Sequence, residues 1–211
     1  MTSSPFDQLK KLLRKYVTKA YSEVSMKRLK KYLKSVPKEQ VYQLLKTIRN
    51  HLNHTAIYLS ARRGHPKVLK CLLDSITDDQ KYELLSILTE DKATPLHDAA
   101  YSGHTEVVLC ICNSVTAEQK YKLLTLEAAL RYTVVHYAAW QGHTELLTNI
   151  LDTVKPAQVL DLLKKSNAYG DDALGVALRF NKQSTADVIQ DYITKAEERK
   201  ETPPADGNDY N

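Results

Sequence analysis

The chain has 211 residues, of which 43% are hydrophobic, and a formal net charge of +5. That size and composition allow a continuous hydrophobic core in a single domain. The longest wholly apolar run, residues 107–112, is far too short to cross a bilayer, and the N-terminus lacks the pattern of a signal peptide. With an odd set of three cysteines, these features predict a reduced, intracellular compartment, either the cytoplasm or the nucleus.

The first predicted helix begins near the N-terminus. Ser4 supplies a side-chain cap, Pro5 suits the first turn, and Asp7 places negative charge at the helix start. A second amphipathic helix is predicted over Met26–Ser35, followed by a third that starts near Val36. Together these segments resemble a degenerate repeat unit, of the kind that caps the exposed end of a stacked protein.

Positive charge is concentrated in this first part of the chain. Residues 1–50 contain 13 Lys and Arg against 3 Asp and Glu, whereas residues 51–211 contain 17 against 22. The predicted second helix carries a basic run: Lys27, Arg28, Lys30, Lys31 and Lys34. Leu29 and Leu33 give the same helix an apolar side. The run is therefore either a solvated helix face or a surface for an acidic partner.

Four segments follow that can be overlaid at a fixed spacing of 39 residues. They read TAIYLSARRGH from Thr55, TPLHDAAYSGH from Thr94, TVVHYAAWQGH from Thr133 and DALGVALRFNK from Asp172. An apolar helical stripe follows each of the first three motifs, and a shorter helical segment follows each stripe. Each unit is therefore predicted to contain three helices. Repetition at this period predicts an all-α stacked solenoid.

Local signals mark where these helices begin and end. Thr77 with Gln80, and Thr116 with Gln119, have the spacing of a capping box at the start of the third helix. The first helix of each unit ends at a residue type that accepts the left-handed conformation: Gly64, Gly103, Gly142 and Asn181. After the last unit, residues 195–211 are polar and are predicted to be a helix end followed by a disordered tail.

The repeats resemble the ankyrin repeat family. The stretch from Thr94 to His104 is close to the most characteristic segment of that family, and the stretch from Thr133 to His143 is similar to it as well. The resemblance implies an ankyrin-like helical solenoid of about four units. We therefore divide the chain into a basic helical cap (1–54), the repeats (55–194) and the tail (195–211).

Two departures from the family are visible. Ankyrin units are usually about 33 residues long, so each unit here carries about six more, and these fall in the third helix. The family's glycine just before the Thr-Pro-Leu-His motif is missing at Ala93 and Tyr132, although the segment 167–170 retains something similar. We expect reshaped loops at these positions.

The sequence carries no pattern that indicates catalysis or metal binding. Five of the seven histidines recur at repeated positions, so they do not converge on one ion. Cys110 and Cys112 lack the spacing of a metal-binding pair, and no phosphate loop or nucleophile motif is present. We therefore expect no catalytic residue, cofactor, metal or small-molecule substrate, and a protein that is not an enzyme.

The resemblance also implies where a partner would bind. In ankyrin-like proteins the first helices line a concave face, and the residues just before the glycine vary with the partner. Those two columns contain Arg62 and Arg63, Tyr101 and Ser102, Trp140 and Gln141, and Arg179 and Phe180. Trp, Tyr and Arg dominate binding hot spots. The columns therefore predict a protein-binding scaffold or adaptor, and we expect the protein to be a monomer.

Two alternatives stay open at this point. Trp140 occupies a column that holds arginine in other units, which favours exposure, but the ring could instead be buried against a neighbouring repeat. The function could also lie in the basic N-terminal helices, which would then bind nucleic acid or an anionic membrane surface.

Overall fold

A computed structural model of the chain describes residues 4–18 and 26–201, and the named secondary-structure elements of this part are all helical. The first unit contains α1 (Pro5–Thr18), α2 (Met26–Ser35) and α3 (Lys38–Thr47). The second contains α4 (Ala56–Arg62), α5 (Pro66–Leu73) and α6 (Asp78–Ser86). The third contains α7 (Pro95–Tyr101), α8 (Thr105–Cys112) and α9 (Ala117–Thr125). A 3₁₀ turn (Ala129–Arg131) precedes α10 (Val134–Gln141), α11 (Thr144–Asp152) and α12 (Pro156–Lys164), and α13 (Ala173–Arg179) and α14 (Gln183–Glu201) complete the described part.

The helices stack in three rows. The first helices α4, α7, α10 and α13 each contact the next, and so do the second helices α5, α8, α11 and α14. The N-terminal helices continue the same rows, because α1 contacts α4, α2 contacts α5 and α3 contacts α6. The predicted all-α solenoid with three helices per unit is therefore confirmed.

One hydrophobic core runs along the whole stack. Each second helix contributes fully buried aliphatic side chains, such as Leu72, Ile111 and Ile150. Each first helix presents small residues, and the pairs Ala99/Ala100 and Ala138/Ala139 have no exposed surface. Small side chains at these positions allow neighbouring helices to approach closely, which fixes the spacing between units.

The loops before each repeat motif share one turn. A left-handed residue lies two positions before the motif: Asn53, Lys92, Arg131 and Gly170, with φ between 55° and 85°. In each case the amide of this residue donates to the carbonyl three residues earlier. The turn is thus retained even where the glycine is absent, although a non-glycine residue costs about 1 kcal/mol or more in this conformation. The loop before Thr133 differs from the others, because Leu130 is left-handed as well (φ 56°).

The last helix is longer than its counterparts. α14 continues to Glu201, so residues 195–201 belong to the end of a helix. The disorder predicted for the tail concerns residues 202–211, which lie outside the described part of the chain.

Candidate functional site

The histidines of the repeat motif are structural. His97 accepts the amide N–H of Thr94 at its Nδ1 atom (3.1 Å), so its Nε2 carries the proton and donates to the carbonyl of Leu126 (3.0 Å). His136 repeats the arrangement with Thr133 and with the carbonyl of Asp171. Burial lowers the pKa of His97 to about 4 and also lowers that of His136. Both rings are therefore neutral, and both nitrogens of each ring form hydrogen bonds within the fold.

The histidines that follow the glycines join neighbouring units. The Nε2 atom of His104 lies 3.2 Å from the carbonyl oxygen of Arg62, and that of His143 lies 3.1 Å from the carbonyl oxygen of Tyr101. Each ring lies directly against the glycine of the preceding unit. Among the residues that the structure describes, no group of three or more His, Cys, Asp or Glu side chains is placed to hold a metal ion.

An aromatic surface crosses three consecutive units beside the glycines. It is formed by Tyr101 of α7, Tyr137 and Trp140 of α10, and Phe180 at the end of α13, and we call these four residues the aromatic strip. The ring of Trp140 lies 5.7 Å from that of Tyr101 and 5.1 Å from that of Phe180. Trp140 therefore packs against both neighbouring units and is half-buried, while Tyr101 is 44% exposed.

An arginine lies near each end of the strip. Arg62 is exposed, with its Nε atom 3.6 Å from the carboxylate of Asp98. Arg179 forms an ion pair with Asp171 at 2.7 Å and lies 5.6 Å above the ring of Tyr169. Charged groups held in place in this way lose little side-chain entropy when a partner binds.

The other candidate positions differ in their surroundings. Arg63 is directed towards the N-terminal unit, where it donates to the carbonyl of Tyr16 (2.9 Å) and lies 5.2 Å above the Tyr16 ring. Ser102 is exposed and Gln141 is half-buried. The structure thus brings Tyr101, Trp140 and Phe180 together, whereas Arg63 connects α4 to α1.

Three tyrosines around the strip were not predicted from the sequence. Tyr137 is part of it, the ring of the buried Tyr132 lies 5.6 Å from that of Trp140, and Tyr169 is 57% exposed beside Arg179. The spacing of Tyr137 and Trp140 was an available signal, because residues three apart share a helix face. Tyr132 and Tyr169 lie in loops, where no such period applies.

The basic run of α2 divides into two sets. All five of its cations are exposed, and Leu29 and Leu33 are buried beneath them. Lys30 and Lys34 line a groove between α2 and α5, whereas Lys27, Arg28 and Lys31 do not.

Comparison with known proteins supports the family resemblance. A family model for ankyrin repeats (three copies) matches residues 32–122, which extend from α2 into α9. Residues 32–122 are therefore similar to ankyrin repeats, and the described part of the chain is an ankyrin-like helical solenoid. No curated protein matches the sequence. None of the helices in the described part of the chain is both long and apolar enough to cross a membrane.

Proposed function

We propose that the chain is a non-enzymatic scaffold or adaptor that binds another protein through the aromatic strip, with Arg62 and Arg179 at the flanks of the contact. Ankyrin repeats are generally protein-interaction modules. The observation that carries the proposal is the continuity of four aromatic side chains across three units, on positions that the repeat does not fix.

The composition of the strip suits a binding surface better than a core. Tyr101 is 44% exposed although it contacts two other rings. Aromatic side chains give a large contact area at low cost in conformational entropy, and hot spots are enriched in Trp, Tyr and Arg. The mutual packing of the rings holds them in place before a partner arrives.

The test compares proteins captured by the wild type with those captured by two single variants. Tyr101→Ala removes the most exposed ring of the strip, and we expect partner binding to weaken about tenfold or more, as is usual for a hot spot. Tyr82→Ala is the matched control, because it removes a half-buried tyrosine of α6 that is not part of the strip. Affinities are measured by titration of each captured partner.

Circular dichroism and melting curves must accompany these titrations. We expect Tyr101→Ala to keep the helical content of the wild type. A loss of folding in this variant would assign the ring to the core, and equal weakening in Tyr82→Ala would remove the strip as the binding surface.

The basic N-terminal unit supports a second candidate function. The five exposed cations of α2 favour an acidic partner, such as nucleic acid or an anionic membrane surface, and such binding weakens steeply as ionic strength rises. A groove beside this helix indicates which kind of acidic partner would bind.

A further inference from the structure

We propose that a groove between α2 and α5 is a separate binding site for an acidic, amphipathic peptide segment of a protein partner. The groove has a volume of about 700 Å³ and shares no lining residue with the aromatic strip. Five lysines from three helices line it, and we call it the lysine groove: Lys30, Lys34, Lys38, Lys67 and Lys70.

The charge in the lysine groove is almost unopposed. Asp74 is the one carboxylate among the lining residues, and it pairs with Lys70 at 3.1 Å. Within the described part of the chain, the other four lysines form no ion pair of their own. All five side chains are exposed. A ligand with several carboxylates could therefore neutralise them without any ammonium group leaving water, and so at a small desolvation cost.

The equivalent groove one unit further along shows that this charge is not inherited from the repeat. It lies between α5 and α8, and Cys110 occupies the place of Cys71, 39 positions later. Its charged lining residues balance, because Lys70 and Lys81 stand with Asp74 and Asp78. Lys81 is already paired with Asp78 at 2.6 Å. The excess of lysine is thus specific to the contact between the N-terminal unit and the first full repeat.

The floor of the lysine groove favours a peptide over other acidic ligands. Leu33 and Val36 are buried there, and Met26 and Cys71 are half-buried. A peptide can direct carboxylates to the lysines and an apolar side chain to this floor. None of the lining residues is aromatic or arginine, so the groove offers no surface for stacking nucleic-acid bases. A flat bilayer surface would contact the rim and leave the apolar floor uncovered.

The test uses a fluorescently labelled twelve-residue peptide in which Glu alternates with Leu, titrated by anisotropy at low ionic strength. We expect Lys30→Gln/Lys34→Gln to weaken its binding about tenfold, the effect of losing two ion pairs. Lys27→Gln/Lys31→Gln is the matched control, since it removes the same charge at the same spacing from the same helix but outside the groove. We expect the control to weaken binding by no more than about twofold.

Two further comparisons locate the peptide and define its chemistry. Bound peptide should slow alkylation of Cys71, while Cys110, also half-buried, serves as the internal control. A peptide with Gln in place of Glu should not bind, and one with Ser in place of Leu should bind more weakly, because it leaves the floor uncovered.

Three outcomes would overturn the proposal. Equal loss in both double variants would show that only the overall charge matters. Binding of an oligonucleotide or of anionic lipid vesicles without binding of the peptide would assign the surface to that ligand instead. Failure of the Glu-Leu peptide to bind even at low salt would remove the site. The variants of the aromatic strip should not affect this peptide, so the two proposals can fail independently.

Discussion

The two middle units, which start at Thr94 and Thr133, hold their first helices differently from the units on either side of them. In the units that start at Thr94 and Thr133, a buried histidine caps the helix and donates to a loop carbonyl. In the unit before them, Tyr58 stands at this position, and its hydroxyl donates to Asp98 of the next unit (2.5 Å). In the last unit the position is Gly175, whose amide donates to the side chain of Asp172 (2.8 Å).

In the last unit the difference follows from a missing neighbour. The Nε2 proton of His136 needs the carbonyl of Asp171, which belongs to the loop before the next unit. Beyond Gly175 the described part of the chain contains no further repeat to supply such a carbonyl, and a buried histidine without an acceptor would be unfavourable. The repeated histidine is therefore a contact with the following unit, and the last described unit can dispense with it.

The glycine–histidine contact allows the strongest test of this comparison. Gly103 has φ +72°, and a Cβ atom added there would lie 2.7 Å from the Cε1 atom of His143. We expect Gly103→Ala to lower the free energy of unfolding by about 3 kcal/mol, from backbone strain and from the displaced ring together. Urea denaturation followed by circular dichroism measures the loss.

Two other glycines are graded controls. Gly142 has a similar φ of +77°, but its neighbour in the last unit is the flexible side chain of Lys182, so Gly142→Ala should cost less. Gly170 has φ +83° with no atom within 4 Å, so Gly170→Ala should cost about 1 kcal/mol, from strain alone. If Gly103→Ala and Gly170→Ala lowered the free energy of unfolding equally, the close contact between Gly103 and His143 would not contribute to the loss.

The buried histidines should make the middle units sensitive to acid. Burial lowers the pKa of His97 from its ordinary value of 6.5 to about 4, so the unfolded chain takes up a proton at a higher pH than the folded chain. The stability from the neutral ring is present above pH 6.5 and is lost as the pH falls towards 4. We expect it to account for about 2 kcal/mol between pH 7 and pH 5.

The measurement compares the wild type with His97→Gln by urea denaturation at both pH values. The variant should be less stable at pH 7 but should lose less of its stability on acidification. Carboxylates titrate similarly in both proteins, so the difference isolates the histidine. An identical drop in the two proteins would show that His97 does not couple folding to pH.

The fold could be predicted from the sequence because the same helix signals recur in every unit. Each unit carries its own helix starts, at Thr55, Thr94, Thr133 and Asp172, and these residues are the caps in the structure. Where the signal for a helix is weak in one unit, the equivalent positions of the other units identify it. The loop before each motif was harder to predict. The left-handed residue is kept without glycine at Lys92 and Arg131, whereas the loop before Thr133 is reshaped by a second left-handed residue, Leu130.

The candidate sites could be predicted only in part, since they depend on contacts between units. The columns beside the glycines indicated Tyr101, Trp140 and Phe180, and the structure places the rings of Tyr101 and Phe180 against that of Trp140. The remaining lysines of the lysine groove, Lys38 and the pair Lys67 and Lys70, come from two other helices. No period in the sequence connects them to the basic run of α2.

Two neighbouring residues at the end of α4 also make contacts between units that could not be predicted from the repeat. They give the smallest effect that we predict. Arg62 is directed towards Asp98, whereas Arg63 contacts α1 through the carbonyl and ring of Tyr16. The two side chains could not be told apart in the sequence because α1 lacks the repeat motif and so cannot be aligned with the other first helices. We expect Arg63→Gln to weaken the docking of α1 by about 1 kcal/mol, which corresponds to roughly fivefold faster hydrogen exchange of its amides. Arg62→Gln is the matched control and should leave exchange in α1 unchanged while it weakens partner binding; the reverse pattern would exchange their roles.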